Sequence, residues 1–147
     1  MKKFFTLIVA TLMASSMMAQ MHGAMTFAGP SSINVLTQNT GNACDTVRFE
    51  MASTSAGNIT LPVMQGMAAI PSFTIENVAF SMGENHVISI AEQTFRSKVT
   101  VNGEEKNIEG SSISGSYNMA DNSLTLKAVF KYGSMPFDLT YEVKAYY

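Results

Sequence analysis

The chain has 147 residues, with nine Lys plus Arg against eleven Asp plus Glu, a formal charge of −2, one cysteine and no tryptophan. That length suits one domain. The mild acidity excludes a nucleic-acid partner, which needs basic stripes to displace counterions, and a single cysteine excludes an internal disulfide.

The first nineteen residues read as an export signal. Lys2 and Lys3 form a basic start, residues 4–13 are apolar apart from Thr6 and Thr11, and the small residues Ala14, Ser15, Ser16 and Ala19 follow. Charge, apolar run and small residue in that order make a secretory signal, and the run is too short to cross a bilayer as a helix. The expected cut lies between Ala19 and Gln20, so that 1–19 is a signal peptide and 20–147 one mature domain. A lipid anchor would need a cysteine directly after the apolar run. Cys44 lies far downstream, so the chain is not expected to be a lipoprotein. Cleavage removes two lysines and leaves a net charge of about −4. No later apolar run reaches spanning length, and no stable membrane insertion is expected. The address expected is periplasmic or secreted, through the Sec route.

The mature chain reads as strands from end to end. Residues 25–28 and 33–36 are short candidates. The stretch around Asn42, Cys44 and Asp45 reads as a loop holding an inert, partly buried thiol. Strands follow at 46–52 and 58–63. Residues 64–69, bracketed by Pro62 and Pro71, are the one place where a helical turn is conceivable. In residues 72–82 the apolar parity switches from Phe73 and Ile75 to Val78, Phe80 and Met82. A single strand shows both sets to one core only if a residue is inserted, which predicts a β-bulge near Glu76-Asn77. Strands at 86–91 and 98–101 come next. Asn102-Gly103 supplies the two positive φ angles of a type I′ hairpin turn leading into 105–108. Residues 112–119 reverse at Ala120-Asp121-Asn122 into 124–132, and Gly133-Ser134 leads to 137–146. The last two segments alternate apolar and polar at every step (Leu124, Leu126, Ala128, Phe130; Phe137, Leu139, Tyr141, Val143).

About eight antiparallel strands joined by short turns predict an all-β barrel or sandwich. Closure is favoured because it removes the free edges. Three segments carry a resemblance. The leader MKKFFTLIVATLMASSMMAQ, the stretch ITLPVMQGMAAIPSFTIENVAF and the ending SLTLKAVFKYGSMPFDLTYEV resemble calycin-like β-barrel proteins exported by Gram-negative gut bacteria. The similarity is greatest from Asn58 onward. Its motifs are structural: Leu61-Pro62, Ile70-Pro71 and the Gly-Ser-Met-Pro turn at 133–136. The resemblance implies an up-and-down, lipocalin-like barrel of about eight strands behind a signal peptide, and it implies fold and export rather than an activity.

Residues that carry chemistry are few. Hydrolysis needs a nucleophile beside an oriented base, yet only His22 and His86 exist. His22 belongs to the N-terminus, and His86 reads as a turn-to-strand residue. Glu104-Glu105 read as solvated hairpin charges. Glu76, beside the expected bulge, is the one carboxylate that the bulge can aim inward. Cleavage after Ala19 would expose Gln20-Met21-His22. Its amine, amides and imidazole form a nitrogen set suited to Cu(II) or Ni(II), unless Gln20 cyclises. The eight mature methionines are adaptable apolar filler or soft ligands. No enzyme activity and no cofactor are expected.

The leading expectation is a non-enzymatic binding module that takes a small apolar or amphipathic ligand within the barrel or at its mouth. Inward Phe73, Phe80, Met82, Phe130, Phe137 and Tyr141 are the candidate contacts. The alternatives are a solid barrel whose loops bind an envelope or target protein, and, on the alternation leading to Tyr147, a small outer-membrane barrel. A hollow or filled interior separates the first two.

Overall fold

A computed structural model describes residues 24–65, 69–83 and 85–147. The expected signal peptide, its cleavage point and the Gln20-Met21-His22 site lie outside the described residues. The strands are β1 (Met25–Val35), β2 (Gln38–Met51), β3 (Ala56–Leu61), β4 (Met64–Gln65), β5 (Ala69–Ile70) and β6 (Phe73–Ala79). Then come β7 (Ser81–Met82), β8 (Val87–Val101), β9 (Glu104–Asn118), β10 (Ser123–Tyr132) and β11 (Leu139–Tyr146). No helix occurs among the described residues.

Nine strands form one antiparallel sheet in the order β6-β3-β2-β1-β11-β10-β9-β8-β7, and β4 and β5 pair separately. The two ends of that order, β6 and β7, are consecutive pieces of one run interrupted only at Phe80. Its first piece pairs with β3 and its second with β8. Counted as one wall, this run makes an eight-walled up-and-down barrel, the form that the resemblance implied. β1 joins β11 directly, with Ile33 opposite Tyr141 and Val35 opposite Leu139.

Along β6 itself the seam to β8 is closed by side chains instead of a backbone ladder. The Gln93 side-chain amide donates to the Ala79 carbonyl at 2.9 Å and accepts from the Ala79 N–H at 2.8 Å. Ser97 Oγ donates to the Thr74 carbonyl at 2.7 Å. Gln93 thus stands in for a peptide unit and pairs the Ala79 backbone groups that have no strand partner on this side.

Bulges explain why several strands are longer than the alternation suggests. Opposite Asn58, the pairings Gly57–Val78 and Ile59–Ile75 leave Glu76 and Asn77 as two residues against one, with Asn77 at φ 56°. This is the predicted bulge. A second has Ala43 and Cys44 opposite Pro30, between the pairs Gly29–Asp45 and Ser31–Asn42. Proline lacks the N–H that a regular ladder would demand there. Further register shifts interrupt β8 and β9 near Gln93 and Ser111. The shifts in β8 and β9 reset the parity of inward residues, so 86–91/98–101 and 105–108/112–119 are single strands that each read in sequence as two. The pair 25–28/33–36 is also one strand, its inward parity unbroken from Met25 to Val35. Where a helical turn was conceivable, Met64 pairs antiparallel with Ile70 and Gln65 with Ala69. The Asn102-Gly103 turn has both φ angles positive, at 53° and 79°.

The interior is apolar, with aromatic pairs set among aliphatic side chains. Phe73 meets Phe130 edge-on at 5.4 Å, Phe95 lies 6.3 Å from Phe130, Phe49 meets Phe80 at 5.7 Å, and Phe27 meets Tyr117 at 5.1 Å. Such edge contacts add to the area each ring removes from water. At the end bearing the C-terminus, Tyr147 tilts onto Phe27 at 6.1 Å, and its N–H donates to the Asn122 carbonyl. The outward face is polar, with ion pairs such as Lys98–Glu105 (3.1 Å) and Lys127–Glu142 (3.8 Å).

Candidate functional site

Chain direction places the β1–β2 turn, the β3–β6 connection, the Asn102-Gly103 turn and the β10–β11 connection at one end of the barrel. Residues 38–44 of β2 are exposed, because β3 pairs with β2 only from Arg48 to Met51 and leaves this end of β2 beside β1 alone. Between the β1–β2 hairpin and the β4–β5 hairpin lies a pocket of about 410 Å³. It is lined by Ile33, Val63 and Met64 on its apolar side and by Ser31, Thr40, Asn42, Asp45 and Tyr141 on its polar side.

Asp45 is the one buried charged residue among the described residues, at 8% exposure. An unpaired carboxylate at such a site would cost several kcal/mol in lost hydration. Three donors offset that loss. Ser31 Oγ donates to Oδ2, the Tyr141 hydroxyl donates to the same oxygen at 3.0 Å, and Asn42 Nδ2 donates to Oδ1 at 2.6 Å. Asn42 is itself oriented, because its Oδ1 accepts the Cys44 N–H at 3.4 Å. The Tyr141 ring lies opposite Ala128 on β10, whose small side chain leaves it room. Burial, followed by the Asp45 charge and the bond to it, pushes the Tyr141 phenol well above its ordinary value. The hydroxyl therefore remains a donor at neutral pH.

The bulge creates this arrangement. Asp45 shares inward parity with Val47 and Phe49, and the two-against-one insertion lets Asn42 and Thr40 face the same side one turn of the pleat later. Asp45 went unnoticed as a site residue in sequence, although a carboxylate in phase with Val47, Phe49 and Met51 is a legible signal.

The sequence-predicted contacts divide. Phe73, Phe80 and Phe130 are buried in the aromatic interior, and Tyr141 alone of the six lines the mouth pocket. Phe137 is half-buried in the β10–β11 connection, ahead of β11 rather than within it. Met82 does not point inward: it is 42% exposed, because Phe80 ends the inward phase and Ser81-Met82 peel away to pair with β8. Cys44 is exposed on a strand and not partly buried in a loop, since the bulge turns it outward. Glu76 is likewise exposed, so the bulge does not aim it inward. His86 sits at φ 58° in the β7–β8 turn, its carbonyl accepting the Met119 N–H. A groove of about 570 Å³ lies over the seam on the outer wall. It is larger than the mouth pocket but carries solvated charges of both signs, Glu76, Arg96 and Lys98, and Lys98 is already paired with Glu105.

The fold has a solved likeness. The chain resembles the crystal structure of a putative outer membrane protein from Bacteroides fragilis NCTC 9343, with a TM-score of 0.68 and 20% identity over 86% of this chain. The match spans 51% of that protein's length, so this chain corresponds to about half of it. At that identity the likeness establishes the barrel-like fold. No protein-family model matches the chain, and no curated protein matches it.

Proposed function

We propose that this chain is an exported, non-enzymatic binding module of calycin-like type that holds a small amphipathic ligand at the barrel mouth. The observation that carries this reading is the buried Asp45 carboxylate, held by neutral donors beside the apolar wall of Ile33, Val63 and Met64. A concave site with a few convergent polar groups on a largely apolar surface is the usual form of a small-molecule pocket. Its side chains suit binding better than catalysis. Tyr141 stays protonated, Asp45 is committed to three donors, and no histidine or second carboxylate is among the lining residues. Export follows from the N-terminal pattern, and the envelope description of the Bacteroides likeness agrees with it. A charged outer wall around an apolar interior is the inverse of a lipid-embedded barrel, which supports a water-borne module.

A second reading, a solid barrel that binds a protein partner through its loops, is favoured by the edge-packed aromatic interior. Native mass spectrometry of the mature protein, purified without detergent from a periplasmic fraction, separates the two. The expected result is a bound small molecule whose occupancy falls in Val63→Glu, which places a charge on the exposed pocket wall. A bare mass, together with a methyl spectrum unmoved by a host small-molecule extract, refutes the ligand reading.

A further inference from the structure

The polar side of the mouth pocket holds a negative charge with no positive partner. Asp45 accepts only from Ser31, Asn42 and Tyr141, all neutral, and none of the residues lining the pocket is basic. Nor do the two segments that flank the pocket supply a cation. The β1–β2 tip, 36–44, and the whole β3–β6 connection, 62–72, contain no Lys, Arg or His. An ionised carboxylate offers about four lone-pair positions, and the three donors occupy three of them. Oδ2 takes both hydroxyls and Oδ1 takes the Asn42 amide, which leaves one acceptor position on Oδ1.

Resting on the mouth-pocket reading, we infer that the ligand's polar end is a protonated primary amine: its N–H donates to Asp45 and its aliphatic part lies along Ile33, Val63 and Met64. Each feature selects against an alternative head group. An anion would face an uncompensated like charge at a site shielded from water. A neutral hydroxyl could use the vacant acceptor position but would leave the charge unpaired. A quaternary ammonium would supply charge without a donor. The ammonium of an alkylamine supplies both charge and N–H, and a hydrogen bond that is charged on both sides is among the strong ones. Neighbouring Thr40, exposed on the hairpin, offers its hydroxyl as an acceptor for a second ammonium proton.

The test uses three probes that differ only in the head group, octylamine, 1-octanol and octanoate, titrated calorimetrically into the mature protein, with the Met64 methyl resonance locating the site. The expected order is octylamine first, 1-octanol at least about tenfold weaker, the scale of one charge-assisted hydrogen bond, and octanoate weakest. Asp45→Asn should abolish the preference for octylamine over 1-octanol. The wild-type ranking is decisive even if that variant folds poorly. Equal binding of all three probes, or octylamine binding that Asp45→Asn leaves intact, overturns the amine assignment and leaves the pocket standing. Failure of every probe to bind or to shift Met64 overturns the assignment together with the mouth-pocket reading beneath it.

Discussion

Replacing Tyr141 by phenylalanine removes one oxygen and keeps the ring that packs opposite Ala128. The loss is therefore the hydrogen bond to Asp45 and little else, since Ser31 and Asn42 still hold the carboxylate. A buried bond to a charged acceptor contributes about 1.5–3 kcal/mol. For a domain of this size the expected fall in melting temperature is roughly 6–10 °C. Urea denaturation followed by far-UV circular dichroism measures the free-energy loss, with an unchanged dependence on denaturant concentration if the native barrel persists. The pH dependence gives a second, independent reading. The phenol is raised above its ordinary value of 10.0 in the folded chain, first by burial and then by the Asp45 charge. The native state thus prefers the protonated phenol. That contribution is complete below the unfolded value and is lost as pH climbs from about 10 upward. Wild type should lose stability more steeply than Tyr141→Phe on this alkaline side, so the two curves converge. Tyr117, also raised by burial, acts equally in both proteins and cancels. A Tyr141→Phe protein within about 0.5 kcal/mol of wild type, with a parallel alkaline limb, would show that the bond contributes nothing net and that the Asp45 site is not built as described.

Phe130→Ala should cost about 3–5 kcal/mol, because the ring is fully buried and bridges Phe73 and Phe95; chemical denaturation measures it. Gln93→Leu should leave the fold intact while raising hydrogen exchange at the Ala79 amide, which then lacks its side-chain acceptor. Unchanged exchange there would mean that the seam is closed by something else. Gly29→Ala should be far more damaging than Gly103→Ala. A Cβ at Gly29 would lie 2.2 Å from the Lys144 carbonyl oxygen, on the backbone of β11. At Gly103 it meets nothing within 4 Å, and the cost is only that of φ +79°, about 1 kcal/mol. Thermal melts of the two variants, side by side, test the closeness of the β1–β11 closure.

Much of the wall was legible because period-two alternation depends only on neighbours along the chain. The β10 and β11 segments, the Asn102-Gly103 turn and even the Glu76-Asn77 bulge follow from local pattern, the last because an inserted residue changes parity in plain view. The other bulges were harder to see. Around Cys44 and Asp45 the flanking residues are polar, so a parity change there alters no apolar rhythm, and the stretch reads as a loop. Met82 shows the opposite failure. It keeps the phase of Val78 and Phe80, yet the strand passes from one neighbour to another at Phe80 and its end faces water.

By itself the sequence determined an antiparallel all-β domain, most turns, and an interior rich in aromatic side chains, since each of these is written in alternation or turn chemistry. Only the tertiary structure decided where the wall closes, which bulged residues turn inward, and that Ser31, Asn42, Asp45 and Tyr141 meet at one end. Those four come from three strands, and Asp45 and Tyr141 alone are separated by 96 positions. Their meeting depends on registers between strands, and a register is fixed by the whole closed sheet rather than by any residue's neighbours.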